Sequence, residues 1–86
     1  MSEICRFFGI IIRMYFDDHD PPHFHAIYSG SEAQICFDPI FVLRGNLPAR
    51  AVSMAIEWAA LHQSELKENW KRLRSDQLPV NIAPLK

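Results

Sequence analysis

The chain has 86 residues, of which 49% are hydrophobic, and its formal net charge at pH 7 is −1. This length predicts a single domain over residues 1–86 with one core, and the apolar fraction excludes a disordered chain. The balanced charge argues against a protein that binds duplex DNA through a strong positive field.

Cysteine use and hydropathy predict a cytoplasmic protein. Cys5 and Cys36 are too few for a disulfide framework, so we expect reduced thiols. The N-terminal residues lack a basic region before a continuous apolar stretch, so we expect no secretory signal. The apolar run at 7–16 is short and contains Arg13, so we expect no membrane span.

The first strand-forming segment runs from Ile4 to Phe16 and is rich in Ile, Phe and Tyr. Gly9 inside it predicts a bulge, a sharp bend or a tight turn between two shorter strands. After Gly9 the residues alternate, so one set forms a core face and the other a polar face. The core set is Ile10, Ile12, Met14 and Phe16, and the other set is Ile11, Arg13 and Tyr15.

Two further strands are predicted at 23–28 and 33–38, joined by a four-residue loop, with a short edge strand at 40–43. Matching the apolar faces of these two strands pairs Tyr28 with Ala33. It also predicts that Phe24 faces the helices expected in the C-terminal half. The same register sets His25 beside Cys36 and His23 beside Asp38, on a polar face turned away from the helices.

The C-terminal half predicts a helical region at about 47–74, with Asn46 as its cap and Pro48 in its first turn. An apolar stripe recurs at three- and four-residue spacing, and a break near 62–64 would divide the region into two helices. The stripe consists of Ala51, Ala55, Trp58, His62, Leu66 and Trp70. We expect residues 75–86 to lie extended on the surface. The predicted fold is α+β: a small antiparallel sheet of three to four strands, with a long or broken C-terminal helix packed on one face.

The segment Asp17–His25 concentrates the candidate chemistry, with three histidines, three aspartates and a rigid Pro-Pro pair. His23 and His25 are two residues apart on a strand and therefore point to the same side. One hypothesis is a zinc-class transition metal held by both histidines, with Asp38, Asp17 or Cys36 completing the shell.

A second hypothesis is a ribonuclease, in which one of these histidines is the general base and the other the acid. Arg13 would then stabilise the phosphate, and Tyr15 is a further catalytic candidate. A third is a half-exposed surface for docking a partner, with His19, His23, His25, Tyr15 and Arg13 as binding residues. We favour the third hypothesis and expect no resident cofactor, because neither a full ligand count nor a strong positive field is visible.

Several motifs resemble one family: Arg6-Phe7-Phe8-Gly9-Ile10, Asp17-Asp18-His19, Pro21-Pro22-His23-Phe24-His25, Leu47-Pro48, Glu57-Trp58 with His62, and Glu65-Leu66 with Asn69-Trp70. Together they are similar to the bacterial domain-of-unknown-function family 4160, which has no established activity. Cys36 is outside the family's pattern.

The resemblance implies a short bacterial protein encoded beside a member of unknown-function family 2442. We therefore expect a protein-binding component of a toxin–antitoxin-like two-gene pair, acting as a homo-oligomer or in complex with the neighbouring gene product. RNA is the alternative partner, and a metal protein or ribonuclease is the alternative function.

Overall fold

The computed structural model describes residues 3–86 and contains one five-stranded antiparallel sheet with the strand order β1-β2-β3-β4-β5. The strands are β1 Glu3–Phe7, β2 Ile10–Arg13, β3 His23–Tyr28, β4 Ser31–Phe37 and β5 Ile40–Gly45. The α+β class is confirmed, but the predicted count of three to four strands is too low. The sheet gains a strand because Gly9 divides the first apolar run at a tight turn, one of the three alternatives considered.

The turn between β3 and β4 has two residues, not the predicted four. Ser29 and Gly30 both have positive φ, 50° and 83°, as the favoured two-residue hairpin turns require. Tyr28 therefore pairs with Ser31 instead of Ala33. A shift of two residues keeps every side chain on its face, because the side-chain period of a strand is two. It changes the neighbours, however: His23 lies opposite Cys36, and His25 lies opposite Gln34.

Two helices, α1 Ala49–Leu61 and α2 Gln63–Arg74, pack on the sheet and are separated at His62, where the predicted break occurs. Trp58 of α1 is fully buried, and its ring lies 5.5 Å from the ring of Phe24, which confirms that Phe24 faces the helical layer. The predicted cap at Asn46 is wrong: Pro48 precedes the helix, and no side chain caps it. Within residues 3–86, neither helix has the length and apolar character needed to cross a membrane.

Two expectations about burial need correction. Phe16 was predicted in the core but is 43% exposed, because β2 ends at Arg13 and the alternation does not continue. The tail after Asp76 contains no helix or strand, as expected, but it does not simply lie on the surface. Ile82 is only 5% exposed and joins the core, and its backbone N–H donates to the Ile4 carbonyl at 2.9 Å.

Candidate metal centre

The loop between β2 and β3 brings Asp18 to the two histidines of β3. Its backbone N–H donates to the Tyr15 carbonyl, and its Oδ2 accepts from the Tyr15 N–H at 2.9 Å, a local side-chain bond typical of Asp in loops. Its other oxygen, Oδ1, lies 2.9 Å from His25 Nε2 and 3.7 Å from His23 Nε2. One ligand atom from each of the three residues lies within 4.8 Å of the others.

The outer nitrogen of each histidine is held by an acceptor. His23 Nδ1 lies 2.8 Å from the Pro21 carbonyl, and because a carbonyl only accepts, this nitrogen must carry a proton. His25 Nδ1 lies 2.7 Å from Glu32 Oε2. Backbone carbonyls and carboxylates are the groups that usually orient metal-binding histidines. Both rings are thus fixed with Nε2 turned toward Asp18.

The site is buried, contrary to the expected half-exposed docking surface. His23 and His25 are 5% and 7% exposed. The Tyr15 ring packs edge-on against His25 at 4.7 Å, and the Trp70 ring of α2 lies 5.6 Å from that of His23. His23 and His25 keep the strand face opposite to Phe24, as expected, but His23, the first residue of β3, also contacts Trp70 of the helical layer.

Burial and hydrogen bonding act in opposite directions on the two ionisable groups. Burial favours the neutral form of His25, but hydrogen bonds to Asp18 and Glu32 outweigh it and raise the pKa of His25 above 6.5. Burial likewise opposes ionisation of Asp18. The hydrogen bonds from His25 and from the Tyr15 N–H outweigh it, so the pKa of Asp18 is lowered from 3.8. The two shifts share a cause, because the hydrogen bond between Asp18 Oδ1 and His25 Nε2 favours the carboxylate of Asp18 and the imidazolium of His25.

A cavity of about 220 Å³ gives access to the site. It borders Asp18 and His23, and its wall includes the exposed His19 and the exposed Arg44 of β5. His25 does not line it. A small molecule entering the cavity would meet the side of the cluster formed by Asp18 and His23.

Of the other predicted site residues, Arg13 lies beside the cluster of Asp18, His23 and His25, whereas Asp38 lies outside it. Arg13 is opposite His25 on β2, and its Nε is buried with no hydrogen-bond partner among residues 3–86. Asp38, the predicted third ligand, is exposed and forms an ion pair with Lys67 at 3.2 Å. The two-residue turn is the reason, because it places Cys36 and not Asp38 opposite His23.

Two residues of the site were missed by the sequence interpretation, Asp18 as a ligand and Glu32 as a support for His25. Asp18 is adjacent to the predicted Asp17, and its turn-forming tendency was the available signal. Glu32 pairs with Ile27, so it is a diagonal neighbour of His25 only in the observed register.

Comparison with known proteins identifies the family to which this chain belongs. No curated protein and no solved structure matches this sequence. The family described as Domain of unknown function (DUF4160) matches residues 9–71, a range that contains Asp18, His23, His25 and Glu32. Because the match spans more than half of the sequence, the chain belongs to the DUF4160 family.

Proposed function

We propose that this protein binds one divalent transition metal ion of the zinc class through Asp18, His23 and His25. The observation that supports the proposal is the convergence of one ligand atom from each residue within 4.8 Å, with both histidines held at Nδ1. Two imidazoles and a carboxylate suit zinc, and the same set with open positions suits ferrous iron.

Three protein ligands leave at least one coordination position for water or a substrate. Structural zinc sites are usually closed by four protein ligands, whereas catalytic sites keep one position open. The cavity beside Asp18 and His23 supports the second type. A metal ion bound there would polarise a ligand and lower the pKa of a bound water, which is the chemistry of metal-assisted hydrolysis.

Metal titration of protein stripped with a chelator tests the proposal. We expect one Co²⁺ or Zn²⁺ per chain, and a large loss of affinity in Asp18→Asn, which keeps the size of the side chain but removes its charge. Asp38→Asn is the matched control, because Asp38 is an exposed carboxylate bound to Lys67. Absence of binding, or equal losses in the two variants, would contradict the proposal.

The same preparations separate the metal site from a histidine-pair ribonuclease. RNA cleavage that persists after chelation and is lost in His23→Ala would favour general acid–base chemistry without a metal. Cleavage that returns only with added metal would support hydrolysis at the proposed centre.

We propose protein association as a second function, with the edge strand β5 as the contact. Phe41 and Val42 on this strand are 44% and 38% exposed, and an unpaired edge with apolar side chains is a ready surface for a partner strand. The partner would be a second copy or the product of a neighbouring gene in a toxin–antitoxin-like pair. Co-expression with that product, scored by co-purification and growth, tests this; a strict monomer that binds no such product would contradict it.

A further inference from the structure

A second cavity, of about 320 Å³, lies at the end of β3 opposite to His23. It forms where the turn between β1 and β2 meets the last residue of β3 and the start of α1. The residues that line it are Phe8, Tyr28, Pro48, Arg50, Ala51 and Met54. None of the three proposed metal ligands is among them, so a molecule bound here would not depend on the proposed metal centre.

The turn that borders this cavity has an unusual first residue. Phe8 and Gly9 are the two residues between β1 and β2, and their φ angles are 48° and 82°. The turn between β3 and β4 has nearly the same angles, but its first residue is the small, polar Ser29. Bulky side chains rarely adopt positive φ, and such turns favour Asn, Asp or Gly at this position. The turn itself therefore does not explain why a Phe stands here.

Burial within the chain does not explain Phe8 either. Its ring contacts the edge of the Phe7 ring at 6.5 Å, yet its side chain remains 60% exposed. The turn is packed on Tyr28, because a Cβ at Gly9 would lie 3.2 Å from the Tyr28 ring. Tyr28 and Met54 are in turn partly buried against the core. The chain thus holds an exposed aromatic ring beside a cavity that has a fixed, largely apolar wall.

The cavity also carries a positive charge. Arg50 is the only charged residue that lines it, and its side chain is exposed. None of the ion pairs within residues 3–86 involves Arg50, and the first turn of α1 contains no acidic residue that could neutralise it. A guanidinium forms its strongest hydrogen bonds with planar anions such as carboxylates. The charge of the cavity therefore favours an anionic ligand.

We propose that this cavity binds a small aromatic carboxylic acid. The ring of the ligand packs against Phe8 and Tyr28, beside the polarisable thioether of Met54, and its carboxylate pairs with Arg50. Small-molecule sites are typically about 300–1,000 Å³ and combine an apolar wall with a few polar groups. The volume here is near the lower end of that range, so the ligand is small.

Titration of the full-length, isotope-labelled protein with cinnamate, followed by amide NMR shifts, tests the proposal. We expect saturable shifts for the amides of Phe8, Tyr28 and Ala51, and none for those of Asp18 and His23. Cinnamamide has the same ring without the charge. It should bind at least about tenfold more weakly than cinnamate, because a charge-assisted hydrogen bond is lost.

Two substitutions assign the binding to the ring and to the charge. Phe8→Asn removes the ring but introduces a residue suited to positive φ, so its urea midpoint should equal or exceed that of the parent. It should bind cinnamate at least about tenfold more weakly, because the aromatic contact is lost. Phe16→Asn removes a ring that is 43% exposed elsewhere and should bind as the parent does. Arg50→Gln should reduce the affinity for cinnamate to that for cinnamamide and leave the latter unchanged.

Equal affinities for cinnamate and cinnamamide would contradict the assigned role of Arg50. Equal cinnamate affinities in the parent and in Phe8→Asn would contradict the role of Phe8. The proposal also fails if cinnamate shifts no amide around the cavity, or shifts those of the edge strand β5 instead. Finally, a Phe8→Asn variant that unfolds at a lower urea concentration than the parent would overturn it, because the ring would then serve the stability of this chain.

Discussion

Replacement of Glu32 by Gln tests whether the outer hydrogen bonds prepare the histidines for metal. Glu32 Oε2 accepts from His25 Nδ1 at 2.7 Å, and its side chain is about half exposed. Gln keeps an acceptor oxygen but removes the negative charge that makes the imidazole a stronger donor to metal. Loss of such an outer partner costs about 10–100-fold in metal affinity, or about 1.4–2.7 kcal/mol.

The assay is competition for Co²⁺ or Zn²⁺ against a chromophoric chelator at fixed pH. Glu65→Gln is the matched control, because Glu65 accepts from His62 Nδ1 in the same way, outside the cluster. We expect the control to bind as tightly as the parent. Unchanged affinity in Glu32→Gln, or an equal loss in the control, would refute the view that this hydrogen bond supports a metal ligand.

Two predictions concern stability, both measured by urea denaturation of chelator-treated protein. The pKa of His25 is raised on folding. Its contribution to the free energy of unfolding is therefore complete below pH 6.5 and is lost as the pH rises through the pKa of the folded protein. The pKa of Asp18 is lowered, so its contribution is complete above pH 3.8 and is lost as the pH falls through the folded value. The contribution of this pair to the free energy of unfolding should therefore be greatest between pH 3.8 and pH 6.5. Asp18→Asn should flatten the dependence of the free energy of unfolding on pH, and an unchanged dependence in that variant would count against the ion pair. Phe24→Ala should cost about 3–5 kcal/mol because the ring is fully buried, whereas the half-exposed Phe16→Ala should cost less than about 1 kcal/mol; similar losses would contradict the assigned faces.

The sheet and the helical layer could both be predicted from the sequence, because each depends on the spacing of apolar residues along a short stretch of chain. The alternation of Ile10 and Ile12 defined a strand face, and the stripe through Trp58 and Leu66 defined the helices. The strand register depended on one turn. Ser29 has positive φ, which is uncommon for Ser, so the Ser-Gly pair was not recognised as a two-residue turn.

The site was predicted in part because two histidines on one strand face follow from alternation alone. The third ligand depends on how the loop folds back, which periodicity does not describe. The sequence therefore favoured Asp38, which the predicted register placed beside His23, over Asp18. Burial of the cluster was also missed, since it comes from Tyr15 and Trp70, whose contacts with the histidines are tertiary.

X-ray absorption at the zinc edge of protein loaded with one equivalent of Zn²⁺ tests the metal centre most directly. We expect two imidazoles and only nitrogen or oxygen neighbours around the ion, at about 2.0–2.2 Å. Asp18→Asn should not retain the ion under the same conditions. A sulfur neighbour at about 2.3 Å, which Cys36 would supply, or the absence of any bound imidazole would contradict it.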